Sequence, residues 1–562
     1  MSHDAKIADL SNQYHDDRVL KSYLQRVLPA DVHAAIAPDL ESLGAIAANE
    51  LYDLQLADRL NEPRLTQWDA AGNRIDHIEL TDVWKRALVL APEYGVIAAP
   101  YEQAHGAYSR IHQFALAHLF IPATDMAAFL MATTDGAART ISRFGSDELK
   151  ATALPHLTSR SPEAFWTAGQ WRTEQTGGSD LSRIQTEARY EDGQWRLYGR
   201  KWFTSSSMAN MALVLAKPAP DAYDGLGLFY LPIRTEARSV NDGIRVNRLK
   251  ESMGARKLPV SEIQLDGAAC SPIGPPDEGG RYLTEMVEIA RTWNAEIAVA
   301  YMRRGIALAR DFSRSRTAFG TPIIEKPLHY DTMAGLQATY EGAFHLTFRL
   351  VELLGKREAG SLSSTEQHLL RALTPIVKLT TAKQAVEVTS EVMEAFGGAG
   401  FAEDTGIPAL MRDVHALPIW EGTTNVMSLV ALQTLRRNGY LQALTDELNR
   451  CAAAVTTPEL KQAVDTARAA FRNAVSWLSD ATKEDEQAPQ AGARRFARTI
   501  GQALELALLA RHAQWALQHE GGRAVAVVEH FAAQGIDRIA PRRHYDAYQL
   551  AQDRTRQTLF QM

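Results

Sequence analysis

Cysteine is almost missing from this chain: Cys270 and Cys451 are the only two in 562 residues. They lie far apart with no metal-ligand spacing around them, which excludes a disulfide framework and a zinc motif, so two buried free thiols and no metal are expected. Long hydrophobic runs are missing too. No stretch approaches about eighteen uninterrupted apolar residues, so no membrane-spanning helix is expected. The opening Met1-Ser2-His3-Asp4-Ala5-Lys6 leads into polar sequence without an apolar targeting core, which points to a cytoplasmic, reducing compartment. Nor does either charge dominate. Lys and Arg number 60 against 67 Asp and Glu, a formal net charge of -7, so a nucleic acid or anionic lipid would need a local basic site. Repeats at a solenoid period and low-complexity blocks are also lacking, which excludes a solenoid.

What is present is the balance of a globular protein, 46% hydrophobic and 23% charged, in a chain too long for one core. Residues 1–163 carry alanine-rich helical spacing, as over 31–51 and 81–90, with Gly72-Asn73 marking a small hairpin or loop. Helical spacing resumes over 102–144. Ser146-Asp147-Glu148 then caps a restart, and Pro155 closes the region.

Over 164–275 the period changes to short β-rich runs. Residues 186–190 and 194–198 flank Asp192-Gly193, a pair that favours the positive φ angles of a tight hairpin. Runs at 211–216, 226–233 and 260–265 add strands, separated by turns at Pro218-Ala219-Pro220-Asp221 and Asp242-Gly243, and the spacing suits a barrel or sandwich. In 276–440 a stripe through Leu283, Met286, Ala290, Trp293 and Ile297 begins a four-helix bundle, continued over 330–356, 364–396 and 425–438. Residues 441–562 read as a further helical domain, divided near Asp485 and Pro489. The class is therefore α+β and mainly helical.

One carboxylate stands out, in Pro418-Ile419-Trp420-Glu421-Gly422-Thr423-Thr424-Asn425. Held at a helix start beside Ile419 and Trp420, Glu421 would be partly desolvated and so a stronger base toward a carbon acid. An isolated Trp-Glu-Gly is far more often a bland helix start with a solvated carboxylate, and the other motifs shift that balance. Thr173-Glu174-Gln175-Thr176-Gly177-Gly178-Ser179-Asp180 sets hydroxyls around glycines that admit close backbone approach to a ring or pyrophosphate. Lys201-Trp202-Phe203-Thr204-Ser205 offers an aromatic face and hydroxyl edges, or else a core strand. Arg314-Ser315-Arg316-Thr317-Ala318-Phe319-Gly320 pairs guanidiniums with an aromatic ring, suited to a pyrophosphate and an adenine. Phe396-Gly397-Gly398-Ala399-Gly400 supplies bare backbone, or simply a helix end.

In this order, over roughly 100–440, these stretches together with Met411-Arg412-Asp413 resemble the acyl-CoA dehydrogenase flavoproteins. Asn61-Glu62-Pro63, the following Trp68-Asp69-Ala70-Ala71-Gly72, the C-terminal helical domain and Glu394 before Gly397-Gly398 are similar to its AidB-like branch. The resemblance implies a helical domain, a β-barrel domain and a four-helix bundle, with an extra helical domain after them. It implies FAD as cofactor and α,β-dehydrogenation of an acyl-CoA to a trans-2-enoyl thioester, with Glu421 as base and flavin N5 as hydride acceptor.

Carried over by position, Thr173 hydrogen-bonds the flavin, Ser179 lies near the pyrophosphate or the thioester arm, and Phe203 stacks on the ring with Ser205 near N5. Trp202 and Thr204 are the alternatives for those last two roles. Thr423 and Asn425 meet the FAD beside the base. Arg316 and Phe319 reach a partner subunit's FAD, which implies a homotetramer; Gly397 and Gly398 offer backbone to the dinucleotide, and Glu394 stands where many members have a glutamine that contacts a neighbouring subunit's FAD. Arg291 and Gly422 face the substrate. Some members of the family take their base from the position that is Ala290 here, so Glu421 is the base on offer. Trp171, Arg172 and Arg183 depart from the usual small or aliphatic residues of the flavin loop.

The resemblance also implies partners: acyl-CoA as substrate in fatty acid metabolism, and electron transfer flavoprotein as electron acceptor. Two other functions compete with this one, an acyl-CoA oxidase and an AidB-like DNA-binding or DNA-protecting flavoprotein. The second needs a basic face built from Arg436-Arg437, Arg494-Arg495-Arg498 or Arg542-Arg543-His544. Interspersed acids such as Glu505, Glu520 and Glu529 disfavour it.

Overall fold

The structure is a computed structural model that describes residues 6–219, 224–234, 240–484, 486–540 and 544–553. They divide into two compact units. The first comprises the described chain to Ile324 with Leu354–Gly360 and Ala385–Glu421; the second comprises Glu325–Leu353, Ser361–Gln384 and the described chain from Gly422.

After the short helix Gln13–Asp16 the first unit continues with the helices Arg18–Val27, Ala30–Ala48 and Glu50–Ala57. Asp17 caps Arg18–Val27 by accepting from the Leu20 amide at 2.9 Å, which satisfies one of the donors a helix start leaves open. The same carboxylate lies 3.0 Å from His118 Nε2 and 3.3 Å from Arg303 Nε, while His118 Nδ1 is 2.6 Å from Glu296. Buried charge survives only when paired, so this cluster ties the N-terminal helices to the long helix Gly279–Ser315. Burial opposes charge on the His118 ring, yet Glu296 and Asp17 outweigh it and push the group up to about 9.

Gly72-Asn73 does form a hairpin, between β1 (Arg64–Trp68) and β2 (Arg74–Glu79). Ser146 caps the helix Asp147–Leu157 as expected, and Pro155 lies inside that helix rather than beyond it.

The β domain holds β3 (Ala168–Trp171), β4 (Glu187–Glu191), β5 (Gln194–Thr204), β6 (Met211–Ala219), β7 (Gly227–Pro232), β8 (Ile244–Leu249) and β9 (Ser261–Pro272). Its order is β3-β6-β4-β5-β9-β7, with β8 on β9, and a β6 to β7 pairing closes the barrel. Asp192 and Gly193 have φ of 50° and 81°, the two positive angles of the hairpin that an Asp-Gly pair favours. Pro218-Ala219 is no turn. It ends β6, paired in parallel with Ala188 and Arg189 of β4, a strand end where the missing proline N–H costs little. Pro220 and Asp221 lie outside the described residues. β3 and β8 have no counterpart in the periodicity reading; β3 is buried at all four positions and so shows no alternation.

Four long helices follow where the bundle is expected: Gly279–Ser315, Pro327–Glu358, Ser364–Ala395 and Thr424–Leu435. In the second unit the helix Ala488–His519 packs on Pro458–Glu484, Arg523–Ala533, Tyr440–Ala453 and Thr424–Leu435. Its Arg494 is exposed, but Arg495 and Arg498 are half-buried, so these three do not make one open basic face. Arg542, Arg543 and the His544 side chain lie outside the described residues. Cys270 and Cys451 are buried free thiols, pushed up to about 12 and about 11 chiefly by burial. Among the described residues no helix is long and apolar enough to cross a membrane.

Candidate active site

Between the helices Ile407–Val414 and Thr424–Leu435 the chain makes successive turns that carry Glu421. Asn294 Nδ2 donates to the Leu417 carbonyl at 3.2 Å, and the Trp420 ring lies 4.4 Å from that of Phe129. Glu421 itself has φ of 58°, a left-handed conformation that costs a side-chain-bearing residue about 1 kcal/mol. Two arginines hold it there. Arg291 Nε donates to its carbonyl at 3.3 Å, and Arg172 Nη2 donates to Oε2 at 2.9 Å. The carboxylate is 2% exposed and the guanidinium of Arg172 18%. Burial pushes Arg291 down from its ordinary value, with Glu421 pulling it up and Arg172 adding to the fall.

The expected setting of Glu421 is corrected in two respects. It does not start the helix, which begins at Thr424 behind the N-cap Thr423, because Glu421 and Gly422 both hold positive φ angles that no right-handed helix admits. Nor does Ile419 shield it, being 66% exposed; the group laid on the carboxylate is Arg172.

Arg172 comes from the loop after β3, and that loop is fastened to β5. Trp202 N donates to the Thr173 carbonyl at 3.0 Å, and Lys201 Nζ donates to buried Glu174 at 2.8 Å and to the Leu215 carbonyl at 2.7 Å. Burial pushes Lys201 down to about 8 against the pull of Glu174. A Cβ on Gly178 would stand 2.8 Å from Thr173 Oγ1, so only glycine lets the loop fold back on Thr173. Glu421, Arg172, Thr173 and Trp202 are thus joined in one series of contacts. Thr173 is half-buried and Ser179 exposed. Lys250 Nζ sits 3.5 Å from the Trp202 ring centre and 4.9 Å from that of Phe203, whose side chain is 59% exposed. Thr204 is buried, and the Ser205 carbonyl accepts from Trp171 Nε1 at 3.3 Å.

This end of the barrel has unused hydrogen-bonding capacity. Gln170 Nε2, Thr204 Oγ1, Ser206 Oγ and Ser207 Oγ are buried with no partner among the described residues. Buried polar groups are ordinarily paired, so these donors and acceptors fit a ligand with a polar rim such as a flavin.

Other expected site residues make none of these contacts. Arg316 ends the helix Gly279–Ser315 and is exposed, and Phe319, fully exposed, tips a hairpin of Thr317–Ala318 with Thr321–Pro322. Glu394, Gly397 and Gly398 are exposed. In the second unit Thr423 accepts from Val426 N, Asn425 is exposed, and the Gly422 carbonyl accepts from Lys378 Nζ at 2.5 Å. Lys378, Lys250 and Gln170 carry no motif that sequence reasoning could seize on, whereas Arg172 did appear as a departure from the flavin-loop pattern.

Residues 277–435 match the family model of the acyl-CoA dehydrogenase C-terminal domain and 169–268 that of its middle domain. Acyl-CoA dehydrogenase family member 11 of Caenorhabditis elegans is 38% identical over 90% of this chain and 84% of its own. The chain belongs to the acyl-CoA dehydrogenase family. Its residues 5–162 match the N-terminal domain of the adaptive response protein AidB, and AidB of Escherichia coli is 30% identical over 73% of this chain and 76% of its own. The crystal structure of Caenorhabditis elegans ACDH-11 in complex with C11-CoA superposes on this acyl-CoA dehydrogenase with a TM-score of 0.91, at 36% identity, covering 95% of this chain and 93% of that one. The fold likeness extends to an acyl-CoA dehydrogenase complexed with FAD from Bacillus anthracis, at 19% identity and a TM-score of 0.73, covering 94% and 90%.

Proposed function

We propose that this acyl-CoA dehydrogenase converts an acyl-CoA thioester to its trans-2-enoyl form, with Glu421 as the base that takes the α-proton. The observation that carries this reading is the buried Glu421 carboxylate, fixed through Oε2 by Arg172. No hydrogen bond engages Oε1 among the described residues, so that oxygen is the one left to accept a proton. A base must sit within hydrogen-bond reach of the proton it removes, and a carboxylate held at one oxygen keeps the other aimed.

The α-proton is weakly acidic until the thioester carbonyl is polarised. The backbone N–H of Glu421 makes no hydrogen bond among the described residues, which leaves it able to donate to that carbonyl. An oxyanion donor of this kind is typically worth about 3 kcal/mol.

Bound FAD supplies the hydride acceptor. The residues that would hold it are Thr173, Ser179, Phe203 or Trp202, Ser205 or Thr204, Thr423 and Asn425, with the backbone of Gly397 and Gly398 and the Glu394 position beside the dinucleotide, and with Arg316 and Phe319 serving a partner's FAD in a homotetramer. The unpaired hydroxyls at the end of β5 and the exposed Phe319 support that assignment. Gly422 and Arg291 border the acyl group in this reading, and electron transfer flavoprotein is the acceptor class. The test is anaerobic titration of the flavin-loaded protein with straight-chain acyl-CoAs of increasing length. Loss of the oxidised flavin band with one length class supports dehydrogenation, and an unchanged band with every acyl-CoA sinks it.

A further inference from the structure

Within the first unit, about 20 Å further along the helix Gly279–Ser315 from Arg291 at 1.5 Å per residue, lies a cavity of about 290 Å³. Its wall includes Tyr52 and Arg59 from the AidB-type N-terminal domain, Tyr301 and Arg304 from the long helix, and the carboxyl groups of Asp125 and Asp413. Two of its guanidiniums are short of acceptors. Arg304 is 2% exposed, its Nε has no partner, and its one hydrogen bond runs from Nη2 to the Ala47 carbonyl at 3.4 Å. Arg59 Nε is likewise buried and unpartnered, with Nη1 donating to the Leu56 carbonyl at 2.7 Å. Neither meets a carboxylate among the described residues.

The acids of the wall are already engaged. Asp125 pairs with Lys257 at 3.2 Å, Glu62 with Arg256 at 2.6 Å, Glu403 with Arg412, and Asp413 accepts from the Ala255 amide at 2.7 Å. Burial also pushes Asp413 up to about 7, so its negative charge is incomplete near neutrality. An arginine does not escape burial by losing its proton, and an uncompensated buried cation is among the costliest arrangements a fold can keep. Here the burial of Arg304, which holds it down to about 10 against the weaker pull of Tyr52, Tyr301 and Asp125, comes with an adjacent space and no carboxylate in hydrogen-bond contact among the described residues. The Tyr52 ring centre is 5.7 Å from Arg304 Cζ, supporting one part of the guanidinium while its unpartnered Nε remains available to an acceptor. A carboxylate or phosphate matches the donor fork of an arginine.

We propose that this cavity is a second ligand site, separate from the Glu421 site, which binds the oxyanion of a small carboxylate or phosphate metabolite on Arg304 with Arg59 assisting.

The test uses the full flavin-loaded protein and isothermal titration calorimetry, with inorganic phosphate in one arm and acetate in the other, at an ionic strength held constant with potassium chloride. Saturable binding of at least one anion at one site per chain is expected, weakened at least about tenfold in Arg304→Gln and less in Arg304→Lys, which keeps the charge. The arm that saturates tells phosphate from carboxylate. No saturable binding of either anion to the wild type, or equal affinity in Arg304→Gln, overturns the proposal. If Arg304→Gln does not fold, Arg59→Gln decides: a loss of affinity supports the site and an unchanged affinity overturns it.

Discussion

Arg172 and Glu421 lie 249 residues apart in sequence and 2.9 Å apart in space, one from the loop after β3 and the other from the turn before the helix Thr424–Leu435. Removing one partner of a buried pair leaves the other charge uncompensated, which typically costs about 3 kcal/mol or more. Arg172→Ala should therefore destabilise the protein by roughly that amount, and Glu421→Gln should recover much of the loss when added to it. Urea unfolding of the two single variants and the double variant measures the coupling. Strictly additive effects would show that the contact carries no energy.

Glu421→Gln alone should keep its flavin and lower flavin reduction by acyl-CoA about a thousandfold or more, because an amide cannot take the α-proton. Stopped-flow reduction under anaerobic conditions reads this directly. A variant within about twofold of wild type would remove Glu421 from the mechanism.

Phe319 stands fully exposed at a hairpin tip, where a large aromatic side chain is usually recruited by a partner. Replacing it by Ser should leave the fold unchanged and increase FAD loss on dilution by about tenfold, measured by flavin content after spin filtration. Equal retention in both proteins would take Phe319 out of the cofactor site.

The buried His118 gives a pH signature. Its folded value near 9 exceeds the ordinary value of about 6.5, so its contribution to stability is complete below about 6.5 and is lost as pH rises through 9. Between pH 7 and pH 9.5 the wild type should lose on the order of 2 kcal/mol more than His118→Gln does, by urea unfolding at each pH. Parallel losses would mean that the ring is neutral in the folded protein.

Local signals account for much of what the sequence reveals. The long helices follow from apolar stripes, and the β4 to β5 hairpin from Asp192-Gly193, because each is decided by neighbours in the chain. β3 is hidden because a strand buried on both faces has no alternation to read. Glu421 is legible from Trp420-Glu421-Gly422-Thr423, but its pairing with Arg172 is not, since a contact across 249 residues leaves no spacing in sequence. The same holds for Lys201 and Glu174, whose ion pair fastens the loop after β3, and for Arg304, which looks like any helical arginine until its surroundings are known.

The left-handed backbone at Glu421 means that the fold and the chemistry ask for different residues at this position. Glycine would relax the turn by about 1 kcal/mol and would remove the buried carboxylate. A laboratory population selected for heat resistance alone, with no demand for turnover, should therefore drift toward Glu421→Gly together with a neutral replacement of Arg172. Such a lineage would gain stability as it lost that buried carboxylate.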